Sequence, residues 1–427
     1  MRCSVVRALM LGLVVVLVVA LGVGSFAPRP VSGAADKLRF VWFTDGAGDQ
    51  QGIEAAIQQF NATNSDIEVE LSIIPYAQET QLLVTQAEAR QAPDLARVDE
   101  NFRFPQYMLD LRPYLQDKNF AKQFLTEAMT VTTGLNGEIY GIPHDFTVDG
   151  PFVNLSLVKK AGLKLPEGSR VSWNTWLDLA IKVKNATGVP YAFAADRSGN
   201  RLDGFVQAWG GGYYTSDGKR ARINDAINVK AVSKFVQLHK DGVMPLEIWA
   251  GSGTGYVSGA QTFVTGRVVL YLSGNWSVAR FANTIGDKFE YTAIPDPCEV
   301  QCSGMPGGKF LVAFKDTKHP QQVARFIEYL GSKEAMAKFV TRALFLPTRQ
   351  DLIQSGVDYA IRGNDMNVFI RDIPRLTKTS YIDDYAREGG AVADVVADRV
   401  TQAIIGQMTV QQALDLAQKK ATELISK

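Results

Sequence analysis

Short apolar runs alternate with segments of helical periodicity along most of this chain, and no other feature limits its fold so strongly. Leu38 to Phe43 reads as a first strand. Gln50 to Asn61 follows with Ile53, Ala56, Ile57 and Phe60 at helical spacing, and Ile67 to Ile73 then alternates with a period of two. Thr80 to Arg90 is helical, and Pro93 to Asp99 is a third strand with acids at its end. Val268 to Leu272, fenced by Gly266 and by Ser273-Gly274-Asn275, reads as a short buried strand, and Phe310 to Phe314 as another. Helical patterns cover Pro320 to Leu330, Lys333 to Val340, Ala393 to Ile405 and Val410 to Ser426. This alternation predicts an α/β fold with a largely parallel sheet. Open sheets of that kind bind ligands at the carboxyl ends of their strands. Trp276 stands just past such an end, next to a glycine, and is either packing or the floor of a binding site.

At 427 residues the chain is too long for one hydrophobic core, which points to two lobes or domains. Residues 1–35 run from a basic start (Arg2, Arg7) through an apolar stretch, Ala8 to Gly24, to the small residues Ser32-Gly33-Ala34-Ala35. That is the order of a secretory signal peptide, with cleavage expected near Ala34 or Ala35. The nearby cysteine, Cys3, precedes the apolar stretch, so there is no lipid-anchor cysteine, and no later run reaches the ~18 apolar residues of a membrane span. Without Arg2, Arg7 and Arg29, 42 of the 45 basic residues remain against 44 acids, a balance that does not suit nucleic acid. The expected product is soluble and exported, periplasmic or extracellular. In that setting Cys298 and Cys302 are expected to pair, pinning a local turn rather than stapling the fold.

Gly137 to Asp145 and Gly150 to Asn154 form an extended stretch broken by proline and glycine, the pattern of a crossover between lobes. Thr175, with Asp178 three residues on, is expected to cap a helix. The segments now stand in a distinctive order: the opening strand with Trp42; Ala92-Pro93-Asp94-Leu95 with Asp99; Gly137-Glu138-Ile139-Tyr140-Gly141-Ile142-Pro143; Thr175-Trp176; Phe263-Val264-Thr265-Gly266-Arg267 leading to Gly274-Asn275-Trp276; Gly307-Gly308; His319-Pro320 with Phe326; and Leu346-Pro347-Thr348-Arg349. In this order the chain, from about residue 36 to 427, resembles the extracellular solute-binding proteins of sugar importers, the family of maltose-binding protein. The resemblance implies a two-lobe periplasmic-binding-protein fold, type II-like, with a three-segment hinge. The crossings are expected near 143–152, 294–307 and 345–350. The N-terminal lobe is then 36–146 plus 305–346, and the C-terminal lobe 150–296 plus 350–427. It further implies a monomer without a cofactor that captures a small carbohydrate between its lobes and delivers it to the permease of an ATP-driven importer. The cysteine pair falls inside the second crossing. A bridge there would stiffen the hinge and is a departure from the general family pattern.

A sugar offers hydroxyls at its edges and C–H groups on its faces, so its site needs flat aromatics together with carboxylates that accept from hydroxyls. Trp276 resembles the family's stacking tryptophan by position, and Gly274 and Gly308 belong to the matching motifs. Trp42, Trp209 and Trp249 also lie at expected element ends, joined by Tyr76, Tyr213, Tyr214 and Tyr256. The candidate carboxylates are Asp45, Asp99, Glu100 and Asp145, and Arg349 is placed to donate from the hinge. His144 is a weaker candidate. Trp173 and Trp176 are expected in the core, His239 and His319 on the surface. The candidates hold no concentrated arginine or lysine cluster such as a phosphate would want, which favours a neutral sugar, a di- or oligosaccharide. A glycerol 3-phosphate or phosphodiester receptor of the same family, and a chemosensory sugar receptor, are the alternatives. No Gly-x-Ser-x-Gly elbow, His-Glu-x-x-His or Gly-Lys-Ser/Thr occurs, and three scattered histidines do not suggest a metal site. An enzyme is therefore not expected; the remaining enzyme reading is a secreted glycosidase, for which Asp45, Asp99 and Asp145 would have to pair across the bond.

Overall fold

The computed structural model of the protein describes residues 35–44, 47–99, 102, 104–250, 257–302 and 304–426. The segment read as a signal peptide up to Ala34, and the candidates Asp45, Glu100 and Tyr256, lie outside the described residues.

β1 (Asp36–Phe43) and β2 (Ile67–Ile74) run parallel, Phe40 opposite Leu71, and the helix Ala47–Thr63 carries the chain from one to the other. β3 (Leu95–Asp99) joins the other edge of β1 in the same direction. The order β2-β1-β3-β8-β4-β6-β5 then continues through β4 (Gly141–Asn154), β5 (Tyr191–Ala195), β6 (Val268–Gly274) and β8 (Pro306–Ala313), while β7 (Tyr291–Ala293) pairs off this path with β4. The sheet is not largely parallel, as the strand–helix alternation suggested. Only β1–β2, β1–β3 and β5–β6 are parallel; every pairing of β4 and of β8 is antiparallel. The alternation describes each end of the sheet and misses the strands that join them.

β4 is the joining element. The extended stretch broken by proline and glycine is one strand of 14 residues, almost wholly buried. Its first half pairs with β8, from Gly141 opposite Val312 to Val148 opposite Pro306, and its second half with β6, from Asp149 opposite Gly274 to Val153 opposite Leu270. The register shifts between Pro143 and Asp145, where proline has no N–H to give the ladder. Near the change of partner the chain is also held by Phe146, which exchanges backbone bonds with Leu346 at 2.9 and 3.1 Å.

Two apolar clusters flank this junction. One gathers Leu38, Phe40, Trp42, Phe60, Phe326 and Val340. The other gathers Phe152, Trp173, Phe205, Phe235, Trp249, Tyr271 and Phe281. Trp173 and Trp176 are core residues, as read from the sequence. Their helix, Trp173–Thr187, is capped one turn earlier than expected: Ser172, not Thr175, is the N-cap, its hydroxyl accepting from the Thr175 amide at 3.0 Å. His239 is a correction of a different kind. It is buried between Phe235 and Trp249 rather than on the surface, and burial pushes its pKa down to about 3.

Candidate functional site

The carboxyl ends of the parallel strands form two groups. At the end of β1 and β2, Phe43 and Tyr76 pack with ring centres 5.0 Å apart and planes tilted by 44°. The Tyr76 hydroxyl donates to Asp99 Oδ2 at 2.9 Å, at the end of β3. Lys309 of β8, cross-strand from Asp99, brings its ammonium to 5.5 Å from the Tyr76 ring centre. Tyr76 is half exposed, while Phe43 and Asp99 are buried, so the cluster meets solvent through Tyr76.

The second group lies at the end of β6. Gly274 closes the strand, and a Cβ there would lie 2.0 Å from the Trp276 ring; only glycine lets the indole fold back over the strand end. Asn275, fully buried, fixes the turn. Its Oδ1 accepts from the Val148 amide at 2.9 Å, and its own amide donates to Val148 O at 3.2 Å. Trp276 is carried by a strand of the second cluster yet packs against the first. The Arg201 guanidinium lies 4.1 Å from the centre of its ring. Arg201 Nη1 donates to Asn200 Oδ1, and Asn200 Nδ2 donates to Asp384 Oδ1 at 2.6 Å. Along β4, Asp149 (opposite Gly274) and Asp145 (opposite Lys309) are four residues apart, so the two groups stand on the order of 13 Å apart along the strand.

Several expected site residues prove to be structural. Trp42 is fully buried, edge-on to Phe40, His144 and Phe339, and its indole N–H points to Asp49 Oδ2 at 3.4 Å. Asp145 is fully buried and bonded by Arg97 Nη2 at 3.1 Å; Arg97 also donates to Phe43 O at 2.8 Å and stacks on Trp42 at 4.6 Å. Burial would raise the Asp145 pKa, but the Arg97 charge beside it holds it below the ordinary value. This group is the underlay of the first strand ends, not their surface. His144 is buried among aromatic rings, and burial lowers its pKa. Trp249 is fully buried against Phe235 and donates to Ala195 O at 3.2 Å. Tyr213 and Tyr214 are buried as well. Arg349 gives its guanidinium to Asp351 at 2.9 Å, to Gly331 O at 3.0 Å and to Gln123, and so fastens the crossing at 345–350. Gly308 serves the β4–β8 pairing: with φ 156°, a Cβ there would sit 2.6 Å from Asp145 O. Trp209 is half-buried under Lys234, eight residues beyond Arg201 on the helix Gly199–Ala208 and so about 12 Å along it, away from Trp276.

The structure thus leaves Trp276, Gly274, Asp99 and Tyr76 at strand ends. It adds Asn275, Lys309 and Arg201, which sequence reasoning missed. Asn275 and Gly308-Lys309 fall in or beside quoted motifs, where a polar residue next to the aromatic was the available signal. Arg201 had none.

A buried acidic cluster lies behind this site. Asp149 Oδ1 accepts from the Met305 amide, and the Asp296 amide donates to Asp372 Oδ2 at 2.9 Å. Burial lifts the Asp149 pKa to about 7, although the charge of Arg201 draws it down. Burial, with Asp149 as neighbour, also raises Asp296, and burial raises Asp372 against the pull of Arg375. Cys298 and Cys302 are joined at an S–S distance of 2.00 Å. Their loop is stitched to the end of the Gly199–Ala208 helix by Val300 N–H to Ala208 O at 2.9 Å, and to the start of the Trp173–Thr187 helix by Glu299, which accepts from the Asn174 amide at 2.8 Å. Among the described residues no helix is long and apolar enough to cross a membrane, and no cluster of side chains has the makings of a metal site.

Similar proteins fit this geometry. The family model described as "Bacterial extracellular solute-binding protein" matches residues 55–364. The arabinooligosaccharide-binding protein of Bacillus subtilis is 24% identical over 95% of this chain and 96% of its own length. The multiple sugar-binding protein of Streptococcus mutans is 22% identical over 71% of this chain and 73% of its own. Among solved structures, the GacH receptor of Streptomyces glaucescens superposes with a TM-score of 0.77 at 17% identity, covering 92% of this chain and 99% of the receptor. The sugar-binding protein MalE of Xanthomonas citri does so with a TM-score of 0.75 at 18% identity, covering 91% and 97%. The fold is therefore that of the two-lobed periplasmic binding proteins, with β4 and β8 running through its centre. With the model matched over most of its length, the chain belongs to the bacterial extracellular solute-binding proteins.

Proposed function

We propose that the protein is the substrate-binding receptor of an ATP-driven importer, and that it captures a neutral di- or oligosaccharide between its lobes and hands it to a membrane permease. The observation that carries this reading is Trp276: a half-buried indole folded over Gly274 at the end of β6, across from the Phe43–Tyr76–Asp99–Lys309 group at the ends of β1–β3. That pairs an aromatic face with carboxylate and ammonium groups, the mixture a sugar requires. The sugar names of the relatives support the same ligand class.

In this reading the lobes are 36–146 plus 305–346 and 150–296 plus 350–427, and they flex where β4 changes partner, near 294–307 and near 345–350. A sugar held by both groups binds the closed form better and shifts the equilibrium toward it. The mature chain starts near Ala35, is exported, acts as a monomer and returns its sugar unaltered. The test is a thermal-shift screen of mature protein against arabino-oligosaccharides, maltose, maltotriose and lactose, with glycerol 3-phosphate as the outgroup. A sugar at 100 times its Kd adds about 2.7 kcal/mol of stability. A response to glycerol 3-phosphate alone would move the protein to the phosphodiester branch, and hydrolysis of a bound sugar would make it an enzyme.

A further inference from the structure

We propose that Arg201 is a ligand-contacting, specificity-determining residue of this receptor: its guanidinium, set on Trp276, donates as a fork to two adjacent oxygens of the sugar unit in that subsite. The inference rests on the sugar-receptor reading and adds the residue that decides which edge of the sugar is recognised.

The geometry points to Arg201 in three ways. Its guanidinium lies 4.1 Å from the Trp276 ring centre and covers that face of the indole, so a sugar reaching this end of β6 meets the cation there. It is held in place beforehand. Asn200 accepts from Nη1 and is itself anchored on Asp384. A donor fixed before the ligand arrives loses little freedom on binding. Its donors are also undersubscribed. Among the described residues Nε is buried with no hydrogen-bond partner and Asn200 is the one hydrogen-bond acceptor for the group, which offers five N–H donors on a half-buried side chain. A planar fork held on an aromatic ring matches two neighbouring hydroxyl oxygens of a sugar. Asp384, linked to Arg201 through Asn200, brings a carboxylate to this end of the helix, which suits neutral oxygens rather than a second carboxylate.

The experiment compares wild type with R201A and R201K by calorimetric titration against arabinotriose, maltotriose and lactose, and repeats it with glucuronic acid. Melting temperatures and circular dichroism confirm that each variant is folded. If Arg201 donates a fork to the sugar, R201A weakens the sugar that wild type binds by ~10- to 150-fold. R201K then stays weak, because an ammonium keeps the charge opposite Asp149 but not the two parallel donors. If Arg201 only balances Asp149, R201K restores wild-type affinity and the proposal falls. Unchanged affinity in R201A overturns it while leaving the receptor reading intact. Binding of glucuronic acid in preference to every neutral probe overturns the choice of neutral oxygens. If wild type binds none of the sugars, the receptor reading fails and the Arg201 assignment with it.

Discussion

Asn275 and Val148 hold each other by two hydrogen bonds, side-chain Oδ1 to the Val148 amide at 2.9 Å and Asn275 amide to Val148 O at 3.2 Å, and both residues are fully buried. The turn that carries Trp276 is thereby tied to β4 beside the point where that strand changes partner. N275A leaves the Val148 N–H without its acceptor and should cost about 1–3 kcal/mol in urea unfolding. Because the bond also aims the indole, sugar affinity should fall in the same variant. Affinity retained at wild-type level would show that Trp276 is positioned without it.

Trp42 and Trp276 should separate cleanly. Trp42 is enclosed by Phe40, His144 and Phe339, so W42A opens a cavity and is expected to lose about 3–5 kcal/mol of stability. W276A removes a half-buried ring and should leave the melting temperature close to wild type while abolishing the sugar-induced shift. The reverse pattern would return Trp42 to the binding site.

The Asp149 cluster sets a pH dependence of defined sign. The folded-state pKa of Asp149 is pushed up to about 7 from the ordinary 3.8, so the folded protein retains a proton that the unfolded chain releases above pH 4. Stability from this group is therefore highest at acid pH and falls as pH rises toward 7, by a few kcal/mol at most. Asp296 and Asp372, raised in the same direction, add to the trend, while Arg201 and Arg375 oppose it. D149N should show no advantage over wild type near pH 4 and a growing one up to pH 8. His239 works the other way. Its folded pKa is lowered to about 3 from 6.5, so its contribution is lost as pH falls below 6.5, and H239F should gain ~2 kcal/mol over wild type at pH 5. Urea midpoints across pH 4.5–8 check both, and parallel pH curves for D149N and wild type would refute the first.

The Cys298–Cys302 bridge closes a very short loop, so reducing it, or making C298S/C302S, should lower stability by only ~2 kcal/mol. Its larger effect is expected on binding. The loop bonds the last turn of the Gly199–Ala208 helix through Ala208 O, and that helix carries Arg201. Dithiothreitol should weaken sugar affinity in wild type and leave C298S/C302S unaffected; equal affinity with and without reductant would argue that the loop is held by its other bonds alone.

How far the sequence could be read depended on the range of the interactions. β1, β2 and β6 are legible because two-residue alternation or a short apolar run records burial residue by residue, and the helices Pro320–Leu330, Lys333–Ala343 and Val410–Ile425 lie within about three residues of their expected bounds for the same reason, whereas Gln350–Ser355, Gly363–Asp372 and Lys378–Tyr385 are not anticipated. β4 read as a broken crossover because its Pro143, Gly150 and Pro151 weaken the local signal, and the pairing that overrides it comes from β8, more than 150 residues away. The aromatic candidates fared unevenly for a related reason. Trp42, Trp249 and Trp276 share one local signature, an indole near a strand or helix end, and only the packing across the molecule separates two fully buried rings from one half-buried ring. Arg201 and Trp276 lie 75 residues apart with no pattern linking them, so their contact could come only from the structure.

The position of β8 between β3 and β4 bears on how this protein is made. Until residues 306–313 have been synthesised, β3 and β4 have no common partner, and the strands of the first three hundred residues form two separate sets, β2-β1-β3 and β4-β6-β5, each with an edge that β8 later covers. A chain emerging from the ribosome therefore stays incompletely folded for most of its synthesis, the state in which a polypeptide can still be threaded through a narrow channel. The late arrival of one central strand delays closure of the N-terminal half until most of the protein exists.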